Sequence, residues 1–150
     1  MASYCFDGSM TGLLSCVFRA FEFKEFNVIV TANPQAQTGL FDEFIHVASN
    51  DQHGQRVWQG LKQKVSSSSL RAFYYTFLSE QEAAFQTLFD FAVYVFQNQR
   101  PVDKDYGHAA VIGMSQWAKQ VGREKHRMEA FVRFKKANEK IFYGAFNAKY

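Results

Sequence analysis

Arg123-Glu124-Lys125-His126-Arg127-Met128-Glu129-Ala130-Phe131-Val132-Arg133-Phe134 is the stretch on which the architecture turns. Its first half closes a long amphipathic helix that starts near Gly107 and carries Ala110, Met114, Trp117, Val121 and Met128 on one face. Its second half, continued by Lys135, alternates: Ala130, Val132 and Phe134 fall on one side, and Phe131, Arg133 and Lys135 on the other. Alternation of that kind predicts a strand. Ala137-Asn138-Glu139-Lys140 then supplies a turn, and Ile141 to Phe146 pairs back as a hairpin. The fold class expected is therefore α+β, with about five helices packed on a small, mostly antiparallel sheet that ends in a C-terminal β-hairpin.

The same segment sets the charge distribution. From Lys119 to Tyr150 there are nine Lys/Arg and three Glu, whereas residues 1–118 hold eight Lys/Arg and eleven Asp/Glu. The formal net charge of +3 thus conceals a polarised chain, which points to an anionic partner at the C-terminal end. At 150 residues one domain spanning 1–150 is expected, large enough to bury a core without disulfides or metals. Hydrophobic residues make up 47% and charged residues 21%, so the chain is globular rather than disordered. Seventeen Phe bring large apolar area with no polar atom to satisfy, which implies a core filled with rings.

Cys5 and Cys16 lie outside any CxxC or Cys/His cluster and read as reduced structural residues of a cytoplasmic protein. The N-terminus has no basic segment followed by an apolar one, and no apolar run approaches the ~18–20 residues of a membrane span. No membrane association is expected.

Moving upstream, Ser3 to Phe6 reads as a short strand stopped by Asp7-Gly8. Ser9 then caps a helix with Leu13, Leu14, Val17, Phe18 and Phe21 at helical spacing. Asn27 to Thr31 and Phe44 to Ala48 are further strands, separated by a loop over 32–43. Ser49-Asn50-Asp51 opens the next helix, and the serine tract 66–69 ends in another N-cap. Ser79-Glu80-Gln81-Glu82 predicts a capping box in which the Ser79 hydroxyl takes the Glu82 amide and Glu82 reaches back. The helix that follows, Phe85 to Phe96, is apolar nearly all round its second half. It belongs either at the centre of the core or under a partner, as in a protein–protein adaptor or a homodimer.

Several of these pieces, in this order and spacing, resemble a bacterial family of DNA-metabolism proteins, itself of unknown function. They are Tyr4…Phe6-Asp7-Gly8-Ser9…Gly12-Leu13-Leu14, Arg56-Val57…Gly60-Leu61, Phe73-Tyr74-Tyr75…Phe77-Leu78-Ser79-Glu80, and Arg123-Glu124…His126-Arg127-Met128…Phe131…Arg133-Phe134. The resemblance runs along essentially the whole chain. Members of that family are typically encoded beside a radical-SAM protein assigned to DNA modification or repair, and related domains occur fused to a uracil-DNA-glycosylase-like domain. The resemblance therefore implies DNA as ligand, and a radical-SAM or uracil-DNA-glycosylase-type protein as partner. Two departures stand out. The family continues past the final hairpin into another α/β segment, which implies a shortened version here. In addition, Cys5-Phe6 precedes Asp7 where the family pattern has Tyr.

Candidate site residues follow from chemistry. Arg123, His126, Arg127, Arg133 and Lys135 form a basic helix–strand face suited to phosphate oxygens, which Lys62 and Lys64 could extend. The alternative is structural: Arg123 and Arg127 pair with core-edge carboxylates such as Glu80 or Asp7. His126 could instead act as a general acid/base with Asp7 or Glu80 orienting it, in an enzyme acting on DNA. His46, His53 and His108 lack metal-ligand spacing, so neither a metal nor a cofactor is expected. Tyr74 and Trp117 fall in apolar stripes and read as core, leaving Tyr75 the more open of the three.

Overall fold

A computed structural model describes residues 2–36 and 43–138, with side chains through Glu129. In chain order the elements are β1 (Ala2–Cys5), α1 (Met10–Phe23), β2 (Val28–Thr31), β3 (Glu43–His46), α2 (Asp51–Lys64), α3 (Ser67–Leu78), α4 (Glu82–Gln97) and α5 (Ala109–Asn138). The helices and small sheet of an α+β chain are therefore present among the described residues.

The sheet is parallel, not antiparallel. Its order is β2-β1-β3, with Tyr4 paired to Val30 on one side and Ile45 on the other. The physical reason lies in the β1–α1–β2 unit: a helix returns the chain to the starting end of the sheet, so the next strand runs the same way as the first. β2 and β3, consecutive in the chain, lie on opposite flanks of β1. All four residues of β1 are buried, as a central strand requires.

The second correction concerns residues 130–135. They continue α5 through Asn138 rather than forming a strand. No C-terminal hairpin occurs among the described residues, and the expected return strand at 141–146 lies outside them. Alternation over six residues is a weak signal beside an established helix. Each added helical residue gains a backbone bond without new nucleation, whereas a strand needs a partner. Glu, Lys, Arg, Met and Ala dominate 123–130, and no Gly or Pro interrupts the run from Arg123 to Asn138.

The starts of α1 and α2 fall where the caps predicted them, and the serine tract supplies its cap at its first residue rather than at its end. Ser9, Asn50 and Ser66 accept hydrogen bonds from the amides of Gly12, His53 and Ser69. The capping box at 79–82 does not form. Ser79 ends α3, donating its hydroxyl to the Thr76 carbonyl at 2.7 Å, and Gln81 precedes α4 without a side-chain cap. Glu80, with φ +55°, makes the left-handed turn between the two helices. Glu82 is thereby free to serve elsewhere: its carboxylate accepts from the Ala32 amide at 3.1 Å.

The apolar helix α4 is the centre of the molecule. Phe85, Leu88, Phe89, Phe91, Ala92 and Val95 are buried, and α4 packs on β2 and on α1, α2, α3 and α5. Rings radiate from it: Phe89 meets Tyr4, Phe85 meets Phe6 and Phe77, and Phe91 meets Phe73, all with centroids 5.2–6.4 Å apart. Both cysteines are free and buried, and burial pushes the Cys16 thiol up to about 12. Among the described residues no helix is long and apolar enough to cross a membrane.

One polar contact fixes α4 to the sheet. The Gln86 amide accepts from the Val30 N–H at 2.9 Å and donates to the Val28 carbonyl at 3.0 Å. It thus occupies the outer edge of β2 as another strand would. Replacing Gln86 with Leu leaves that N–H and C=O without partners, so we expect a loss of about 1–3 kcal/mol in urea unfolding. The Val30 amide should also exchange with solvent faster than its neighbours. Unchanged exchange at Val30 would refute this account of the edge.

Candidate functional site

Three groups of polar side chains stand out, and each is built by a different device. The first lies at the carboxyl ends of β1 and β3, where α1 and α2 begin. Asp7 collects the Ser9 amide at 2.9 Å, the Ser9 hydroxyl, and the Ser49 hydroxyl at 2.7 Å. The Ser9 hydroxyl, followed by those other donors, holds the Asp7 carboxyl below the usual carboxylate range. Gly12 makes the cluster possible, since a Cβ there would stand 2.5 Å from Asp7 Oδ1 and 3.1 Å from Ser49 Oγ. An anion is thus already seated between two helix N-termini, the arrangement favoured by their dipoles. Asp7 is a joint between α1 and α2, and an incoming phosphate would meet its charge.

The second group closes the other end of the helical layer. Asp103 is buried beside the start of α3. One of its oxygens accepts from the Ser66 amide at 3.0 Å, the Ser66 hydroxyl at 3.0 Å and the Ser69 hydroxyl at 2.7 Å. Burial raises its pKa, but the three donors outweigh that and the net displacement is downward. The serine tract is therefore a helix start anchored from 34–37 residues away in sequence.

The third group lies in the second half of α5, from Arg123 to Glu129. Every residue from Arg123 to Glu129 is exposed, among them Arg123, Lys125, His126 and Arg127. Arg123 and Arg127 stand one turn apart on one side of the helix. Lys125 points elsewhere, laying its ammonium 5.5 Å from the Tyr75 ring centre and 3.3 Å from the Tyr75 hydroxyl. His126 is 87% exposed and lies 3.9 Å from Glu129, one turn on. Among the described residues no hydrogen bond or ion pair joins Arg123 or Arg127 to Asp7 or Glu80, the carboxylates offered by the structural alternative.

The other sequence-predicted positions distribute as follows. Arg133 and Lys135 lie in the backbone of α5, and their side chains fall outside the described part. In a helix, two positions two residues apart are turned by roughly 200°, so these residues no longer share the side that a strand would have given them. Lys62 is exposed on α2. Lys64 is committed to structure, because its ammonium donates to the Val95 and Asn98 carbonyls at the end of α4. Glu80 sits in the α3–α4 turn, so no hydrogen-bonded constellation joins His126, Asp7 and Glu80 among the described residues. Tyr74, expected inside, is 49% exposed, whereas Tyr75 and Trp117 are half-buried. Among the described residues no group of three or more His, Cys, Asp or Glu is placed to hold a metal ion.

Sequence reasoning missed the cations that α3 and the 98–108 loop contribute beside α5. Arg71, Lys104 and Lys119 line one groove of about 350 Å³ with Tyr75 and Tyr106. Only the four-residue spacing of Arg71 and Tyr75 on one helix face was readable in advance.

Against known proteins, residues 81–150 match a family described as "Domain of unknown function (DUF4130)", a span that takes in α4, the following loop and α5. No curated protein and no solved structure matches the chain.

Asp7 and Asp103 generate a pH prediction. Both have folded pKa values below the ordinary value of about 3.9, so each stabilises the fold above that value. The contribution is lost as the pH falls below about 4 through the folded values. Thermal unfolding should therefore show the midpoint dropping below about pH 4. Asp103→Asn should cost about 2 kcal/mol at neutral pH, roughly 4–8 °C, and flatten that acid-side drop. An equally steep drop in the variant would show that Asp103 is not among its causes.

Proposed function

We propose that this chain is an accessory nucleic-acid-binding protein of DNA metabolism that engages phosphate oxygens through the basic end of α5. One observation carries the reading: the run from Arg123 to Glu129 is exposed on every side and presents Arg123, Lys125, His126 and Arg127. Arginine offers paired N–H donors to phosphate, and a helix holds such side chains at fixed spacing. The polarised charge of the chain supports the same choice, because the excess of Lys and Arg begins at Lys119. Arg133 and Lys135 continue that segment in sequence. The resemblance to DNA-metabolism proteins supplies the biological setting, with a radical-SAM or uracil-DNA-glycosylase-type protein as the partner that performs the chemistry.

The two competing readings have less to stand on. An adaptor or homodimer built on residues 85–96 needs an open apolar helix, and that helix is interior. An enzyme using His126 needs a carboxylate to orient the imidazole in a cleft, whereas His126 stands in solvent beside Glu129.

Binding of short single- and double-stranded DNA, followed by fluorescence anisotropy across a salt series, tests the proposal. The wild type should bind at low salt and lose affinity steeply as salt rises. Arg123→Ala/Arg127→Ala should lower the slope of log K against log salt by about 1.4–1.8, the loss of two phosphate contacts. No binding at low salt, or an unchanged slope in the variant, would overturn it.

A further inference from the structure

The groove between α3 and α5 has a chemistry that the exposed end of α5 lacks. Arg71 from α3, Lys104 from the 98–108 loop and Lys119 from α5 stand around it. Lys125 follows along α5, its ammonium held over Tyr75, a wall residue of the same groove. These four cations come from three separate segments, and all four are exposed. The carboxylate that lines the groove, Asp103, turns an oxygen onto Ser66 and Ser69 at the start of α3. The balance facing solvent is therefore strongly positive.

The groove also carries an aromatic ring with an open face. Tyr106 is 55% exposed on its rim. Tyr75 has Lys125 laid against it, so it acts as a spacer that fixes the position of that cation. Val111 and Met114 give the floor an apolar character, and Ser68 holds the Lys104 ammonium at 2.9 Å. Cations at intervals along a channel with a ring on the rim match one kind of ligand: a backbone of phosphates whose bases are free to leave the stack. The bases of a duplex are paired and stacked, and could not reach Tyr106.

We infer that the α3–α5 groove is a track for one strand of nucleic acid, with Arg71, Lys104, Lys119 and Lys125 on its phosphates and Tyr106 stacked on a base. The inference rests on the nucleic-acid reading above and sharpens it: the ligand is single-stranded, and its path runs from the groove to the end of α5.

The test compares three probes of equal length on the full chain: a dT oligonucleotide, the corresponding duplex, and an abasic deoxyribose-phosphate oligomer. The wild type should bind dT more tightly than the abasic strand by roughly 5- to 100-fold, the effect of base stacking on one ring. Tyr106→Leu should erase that difference with the salt slope unchanged. Arg71→Ala/Lys119→Ala should lower the slope for single strands by about 1.4. All these side chains are exposed or half-buried, so the thermal midpoint should hold, which separates lost binding from lost folding.

If the groove variants bind dT as the wild type does while Arg123→Ala/Arg127→Ala weakens binding, the groove inference fails and the nucleic-acid reading stands. If the wild type binds no nucleic acid at low salt, both fail. A duplex bound more tightly than dT, with Tyr106→Leu neutral, would overturn the single-strand assignment. Displacement of dT by polyglutamate at equal charge concentration would overturn it too, marking the groove as a dock for acidic proteins.

Discussion

Gln86 lies where α4 crosses the outer edge of β2, and its amide provides there the donor and acceptor that a fourth strand would provide. Glu82, one turn earlier, accepts from the Ala32 amide just past the end of that strand. A short parallel sheet has few hydrogen bonds of its own, and leaving an edge bare both wastes donors and invites pairing with other chains. The two α4 side chains solve that problem while the apolar remainder of the helix fills the core. The consequence reaches every other element: once α4 is pinned along β2, the rings of Phe85, Phe89 and Phe91 determine where β1 and α3 can pack. An apolar helix enclosed in this way is not available for a partner.

The same placement organises the polar groups. Asp7 joins the starts of α1 and α2, Asp103 anchors the start of α3, and Lys64 takes the carbonyls at the end of α4. Each places a charge at the helix end whose dipole attracts it, so these groups serve the fold. Arg71, Lys104 and Lys119 stand exposed around the groove that α5 forms with α3, while Arg56 and Lys62 are exposed on α2. Charges are thus matched at these helix ends, and a second place, the groove, presents positive charge to solvent. That separation is the physical basis for reading an anionic ligand at the second.

Much of this layout was legible from local rules. Ser9, Asn50 and Ser66 each lie three residues before the amide they cap, so the information needed to place a helix start is contained in one turn. The near-all-round apolarity in the second half of 85–96 likewise called for cover, by the core or by a partner, and the core supplies it. Two local readings failed, one to a tertiary contact and one to a stronger local preference. Ser79 and Glu82 match a capping box, but the Glu82 carboxylate is taken up by the amide of Ala32. The alternation at 130–135 suggests a strand, yet an existing helix extends through it at less cost than a strand needing a partner. As for the site, Arg123, Lys125, His126 and Arg127 were visible as a basic run, whereas the cations of the groove were not, since Arg71, Lys104 and Lys119 belong to segments with nothing in common in sequence.

What this sequence determined unaided were the features that a chain settles within a turn or two: caps, helix periodicity, the apolar identity of α4 and the polarity of charge. Only the tertiary structure decided the direction of the strands, the docking of Gln86 on β2 and the meeting of α3, the 98–108 loop and α5 around one groove. The division has a physical cause. A capping bond is satisfied by neighbours three residues away, but the edge of a strand or the wall of a groove is satisfied by whichever distant group packing brings against it.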